Sequence, residues 1–182
     1  MKRLTAGAAA FAAGFAVFGT GVKAQDQLFG DAESVALALV VWQVLEDQKL
    51  VGENAVLAFP YVGLPPHGEI LVTLGSEIFV AGRTTTVIVK KNYTLEFATV
   101  EGVANNPGQQ HDVTVMFRRE AGYDDENQDR FWAKFTAEGE ILAGPSGPLA
   151  GRVYKGLEVG CIACHSNAPG GDLVFINDRH AM

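Results

Sequence analysis

The stretch "GCIACHSNAPGGDLVF" spans residues 160 to 175, near the end of a 182-residue chain. Cys161, Cys164 and His165 spell C-x-x-C-H, the attachment signal for a c-type haem. On one helical turn the two thiols can each form a thioether to a haem vinyl group. The adjoining His165 presents an imidazole nitrogen to the iron from the same side. These are the only two cysteines in the chain. A disulfide and half of a zinc site are the competing uses of C-x-x-C. Zinc would need a second cysteine pair, and a thioredoxin-like site would need a strand leading into its cysteines. The directly following His completes the haem signal, so one covalent haem c is the cofactor the sequence predicts, with His165 as metal ligand.

The other face of the iron decides what such a haem does. A Met or a second His there makes a six-coordinate electron carrier; a vacant face allows a small ligand to bind. His165 is followed by only 17 residues, among them His180 and Met182 at the terminus. Upstream stand His67, after two prolines, His111 in a polar loop, and Met116 inside an alternating run. Contexts of these kinds suit exposure, local hydrogen bonding or core packing, and the sequence therefore predicts an iron open or water-bound on its distal side.

Residues 1–24 read as a signal peptide. "MKR" is a positive start, "LTAGAAAFAAGFAVFGTG" an apolar stretch and "VKA" a small-x-small cleavage pattern. A membrane-anchoring helix is the competing reading, but the segment is rich in Ala and Gly rather than Leu. Export to the periplasm follows, which is where covalent haem attachment occurs in bacteria. Without the leader's three basic residues the chain keeps 11 of 14, against 21 acidic, for a net charge of −10. That charge argues against nucleic acid or anionic membrane as partner and is compatible with a cationic redox partner, such as another cytochrome.

The elements that must position the motif follow from periodicity. Residues 25–54 form an N-terminal helical segment, centred on "DAESVALALVVWQVLEDQKL" at 31–50. Asp31 can cap its start, and Leu37, Val40, Val41, Val44 and Leu45 form an apolar stripe. Residues 55–182, one domain with that helix, carry the strands and the haem motif. "FPYVGLPPHGE" breaks regular structure. "TTTVIVKKNYTLEFATV", "DVTVMFRREAGY" and "RFWAKFTAEGEIL" are β-branched, aromatic and alternating. "EGVANNPGQQHD" and "AGPSGPLAG" read as loop and linker. The fold class predicted is α+β, mainly antiparallel sheet with a few helices, and the haem on a short C-terminal helical segment. Strand-like alternation over residues 70–145 excludes a four-helix haem bundle.

Taken together, "TTTVIVKKNY", "DVTVMFRREAGYDDENQDRFWAKFTAEGEI", "GCIACH" and "GDLVF" resemble successive landmarks of the cytochrome P-460 family, in order and over roughly residues 55 to 178. "KKNY" stands where that family has K-E-N-Y, and "DRFWAKF" replaces D-W-F-W-A-K. The resemblance implies a mainly antiparallel β fold, a His-ligated haem c and often a homodimer. Its relatives include hydroxylamine-oxidising enzymes, in which a lysine cross-links to the macrocycle. They also include cytochromes c-prime-beta, which bind nitric oxide without that bond. The expected ligand or substrate is thus a small nitrogen compound. The alternative is a non-enzymatic electron-transfer or gas-binding cytochrome. The resemblance matches Lys90 to the cross-linking lysine, whereas strand alternation puts Lys91, not Lys90, on the more apolar face with Val87, Val89 and Tyr93. Two surface lysines are the plainer reading. Phe131, Trp132 and Phe135 are candidates for the pocket wall or for core. Arg118 and Arg130 are candidates for pairing with a haem propionate, and Asp172 and Phe175 for capping and packing in the terminal phrase.

Overall fold

In the computed structural model, described for residues 29–63, 66–94 and 99–175, helix α1 runs from Ala32 to Asp47. The side chain of Asp31 accepts from the Ser34 N–H at 2.9 Å and caps its first turn. Strands follow as β1 (Tyr61–Val62), β2 (Ile70–Val80), β3 (Arg83–Tyr93), β4 (Asp112–Arg118) and β5 (Arg130–Thr136). A small hairpin, β6 (Ala143–Gly144) with β7 (Gly147–Pro148), leads to β8 (Ala150–Gly151). The last element is a five-residue helix, α3 (Cys161–His165). The fold is α+β, with one antiparallel sheet in the order β1-β2-β3-β4-β5-β8. Among the described residues no helix is long and apolar enough to cross a membrane. The predicted leader, and His180 and Met182, lie outside the described residues.

The two faces of the sheet have different jobs, and the period-two alternation of the strands assigns every residue to one of them. Toward α1 point Val87 and Val89 of β3, Val113, Val115 and Phe117 of β4, and Phe131, Ala133 and Phe135 of β5. They pack on Ala38, Val41, Trp42 and Leu45 in the main core. Burying apolar surface on this scale is the dominant favourable contribution to folding. The opposite face carries Ile88, Met116 and Trp132, covered by Phe29, Val153, Ile162, Leu173 and Val174 from the chain's two ends. The C-terminal segment is therefore laid across the side of the sheet away from α1.

Three segments depart from the sequence expectations, the first being Tyr61–Val62, which pairs with β2 inside the stretch read as breaking regular structure. Val100–Asn105 forms a short helix, α2, inside what reads as a loop. Thr99 caps it by accepting from the Gly102 N–H, and Val103 is its one buried anchor. One anchor in six residues leaves no apolar period to detect. The Gly/Pro linker at 143–151 is not structureless, because β8 completes the sheet beside β5. Gly151 there has φ +106°, and a Cβ would lie 2.7 Å from the Ser34 hydroxyl of α1.

Candidate functional site

On the face away from α1 the strand register sets out two neighbouring rows of side chains. One row crosses the sheet as Thr73, Lys90, Thr114 and Lys134. The next runs Gly75, Ile88, Met116, Trp132 and Gly151. Above them lies a cavity of about 450 Å³, lined mainly by apolar groups and closed on its far side by Tyr154, Val159 and α3 with Cys161, Cys164 and His165. The volume falls within the range of about 300–1,000 Å³ usual for small-molecule and cofactor sites.

The approach to α3 is fixed from both directions. Ahead of it, buried Asp124 holds the Arg152–Lys155 turn by an ion pair of 2.6 Å to the Lys155 ammonium. Asn127 also donates to Asp124, at 2.9 Å. Gly160, with φ +114°, brings the chain so close to Tyr154 that a Cβ would lie 2.5 Å from its ring. A glycine is required at the position before Cys161 for both reasons. Behind α3, the loop 171–174 is tied to the start of β5. Arg130 Nη2 donates to the Asp172 carbonyl at 3.1 Å, and the Gln128 amide donates to the Gly171 carbonyl. The Asp172 carboxylate accepts from the Val174 N–H at 3.0 Å.

That loop serves His165. The ring Nδ1–H donates to the Leu173 carbonyl at 2.7 Å, which leaves Nε2 as the nitrogen with a lone pair. A hydrogen bond from the other ring nitrogen orients a metal-ligating imidazole and raises its basicity. Trp132 and Phe175 flank the ring edge-on, with centroids at 4.7 and 5.2 Å. Burial pushes the imidazole pKa down to about 4, with the Leu173 bond opposing and Lys90 and Arg130 adding to the effect, so the ring is neutral at pH 7. Neutral imidazole is the ligating form.

The thiols are both free. Burial pushes the Cys161 thiol up to about 11, opposite to the depressed value a dithiol redox site needs. Cys164 is exposed at the cavity's edge. Among the described residues no group of three or more His, Cys, Asp or Glu side chains gathers as a bare metal ion would require. The arrangement instead suits a large apolar disc with its own metal. Two thiols stand at one rim, the imidazole of the same helix lines the space, and apolar strand residues form the floor. Trp132 lines this space, and its buried indole N–H has no acceptor among the described residues. That donor suits a polar group carried in by an occupant.

Lys90 lines the cavity and is buried, at 7 % exposure. Lys91 points the other way, into a small pocket with Val72 and Tyr93, and burial lowers its pKa. Alternation groups Lys91 with the more apolar face of β3, and that face belongs to the α1 core. Phe131 and Phe135 are likewise in that core and do not wall the cavity; Trp132 does. Arg118 reaches Gln128 at the surface, while Arg130 is buried beside the loop under His165. His111 is exposed and lies 3.9 Å from Asp112. Met116 lines the cavity floor.

His67, one of the three upstream candidates for the distal side, is the one whose placement differs from its sequence context. Two prolines before it and a glycine after it suggest an exposed turn, but its ring enters the cavity. Its centroid lies 6.0 Å from that of His165, with the ring planes perpendicular. Its Nδ1 is 3.4 Å from the Thr114 hydroxyl. Burial, then Lys90, His165 and Lys134, push its pKa down to about 3. The available signal was long-range: residue 67 has to be placed over strand β4, 47 positions away. Compared with models of known protein families, with curated proteins and with solved structures, the chain finds no match.

Proposed function

We propose that this chain is an exported monohaem c-type cytochrome of the cytochrome P-460 kind, its haem joined to Cys161 and Cys164 and its iron ligated by His165. The distal side of the iron takes small nitrogen compounds such as nitric oxide or hydroxylamine. The single observation that carries the reading is the state of His165. Its Nδ1–H is committed to Leu173 at 2.7 Å, and its ring lines a cavity rimmed by both thiols. Bound there, the haem supplies a redox-active iron with an exchangeable ligand position. The protein's part would be to fix the proximal imidazole and to surround the site with the apolar side chains of Ile88, Met116, Trp132 and Leu149. The acidic surface suits delivery of electrons to a basic partner cytochrome.

Lys90 separates the oxidising type from the gas-binding type. Digestion of the holoprotein followed by mass spectrometry yields its peptide attached to haem in the first and unmodified in the second. The test of the wider reading is the absorption spectrum of the purified exported protein. A haem c spectrum that shifts on adding nitric oxide or cyanide is expected. A haem spectrum indifferent to both would leave only an electron carrier, and colourless protein would end the haem reading altogether.

A further inference from the structure

Resting on the haem reading above, we infer that His67 is a sixth, displaceable ligand to the iron, which closes the distal face at rest and swings away when a small ligand binds. The argument begins with the two rows on the sheet. His165 sits against Trp132, in the row of Ile88 and Met116; His67 sits over Thr114, in the adjacent row with Lys90 and Lys134. The two imidazoles are thus set off from each other along the strand direction, and both line the one cavity. Metal–imidazole bonds of about 2 Å each, with the offset from nitrogen to ring centre, put the centres of two trans imidazoles about 6 Å apart. The observed separation is 6.0 Å.

The polar partners agree. Each ring has its Nδ1 turned to a protein oxygen, the Leu173 carbonyl for His165 and the Thr114 hydroxyl for His67; the carbonyl can only accept, whereas the hydroxyl can also accept, and in that orientation Nε2 is in both rings the nitrogen left for a metal. The two are held very differently. His165 lies on α3 with a 2.7 Å bond and two flanking aromatic rings. His67 belongs to the β1–β2 connection, and its bond to Thr114 is long, at 3.4 Å. The backbone beneath it is nevertheless anchored. Gly63 N–H donates to the Glu69 carbonyl at 2.7 Å, and a Cβ on Gly68 would lie 2.6 Å from the Tyr93 carbonyl oxygen. A fixed backbone with a weakly held side chain is the arrangement that lets one imidazole leave while the other stays. Exchange breaks one iron–nitrogen bond and forms one to the incoming ligand, with no change in electron count.

The experiment is optical and electron paramagnetic resonance spectroscopy of the ferric holoprotein, with cyanide binding followed by stopped flow, for wild type, His67→Ala, His67→Gln and the surface control His111→Ala. Wild type and H111A are expected to be low-spin, with cyanide binding at a rate that saturates as its concentration rises. Both His67 variants become high-spin and lose that saturation. Apparent cyanide affinity rises about tenfold or more if the resting ligand is bound at least nine-tenths of the time. Free imidazole restores the low-spin spectrum of H67A. A high-spin wild type, or a low-spin signal that persists in both His67 variants, overturns the inference while leaving haem binding intact. Colourless protein instead overturns the reading beneath it.

Discussion

At the scale of single residues the site is a set of unequal restraints. His165 is held by a short hydrogen bond and two aromatic rings, and the bond depends on where Leu173 places its carbonyl. Leu173 has a positive φ of 62°, an unusual conformation for a branched residue, and the Asp172 carboxylate on Val174 N–H helps to hold that turn. Asp172→Ala should lower stability by about 1 kcal/mol, measured by urea denaturation. It should also broaden the His165 ring signals in the NMR spectrum, an effect that a change remote from the loop would lack. Asp31 offers a comparison far from the cavity. Burial raises its pKa, but bonds from the Ser34 amide and hydroxyl outweigh that effect and leave it lowered. A carboxyl depressed in the folded state contributes stability above its unfolded pKa, and loses it as pH falls through the folded value. Asp31→Ala should accordingly cost about 1 kcal/mol at pH 7, and the difference from wild type should shrink below about pH 4.

At the scale of elements, the alternation that places side chains on β3, β4 and β5 divides stability from chemistry. Phe135 faces α1 and is fully buried; Trp132 faces the cavity. Phe135→Ala should cost about 3–5 kcal/mol in denaturant and leave the haem spectrum of the folded protein unchanged. Gly160→Ala should act in the opposite sense, disturbing haem attachment more than the sheet, because its Cβ meets Tyr154 at the entry to α3. Strands β3, β4 and β5, α1 with its Asp31 cap, and the C-x-x-C-H turn were legible in the sequence, since each is written in a local period or spacing. Which sheet face receives the C-terminal segment was not, because Lys90 and Lys91 differ by one position and only the docking of α1 decides between them. The placement of His67 was hidden for the same reason. Its neighbours in the chain describe a turn, while its neighbours in space come from β4 and α3.

At the scale of the molecule, a six-stranded sheet separates an apolar core from a cavity that the C-terminal segment helps to close. The N-terminal segment at Phe29 also reaches this side, bridging to Gly151 and stacking edge-on with Tyr154 at 5.0 Å. Cofactor attachment should therefore stabilise both ends of the described chain together: hydrogen exchange at Phe29–Gly30 and at 171–174 should slow in the holoprotein relative to a Cys161→Ser, Cys164→Ser variant. The central claim is that the two thiols carry a macrocycle. Intact mass spectrometry of the exported protein under denaturing conditions tests it most directly. A gain of one haem, kept through denaturation and lost when both Cys161 and Cys164 are replaced by serine, is the predicted result; the mass of the bare polypeptide, from cells that load haem on other c-type cytochromes, would contradict it.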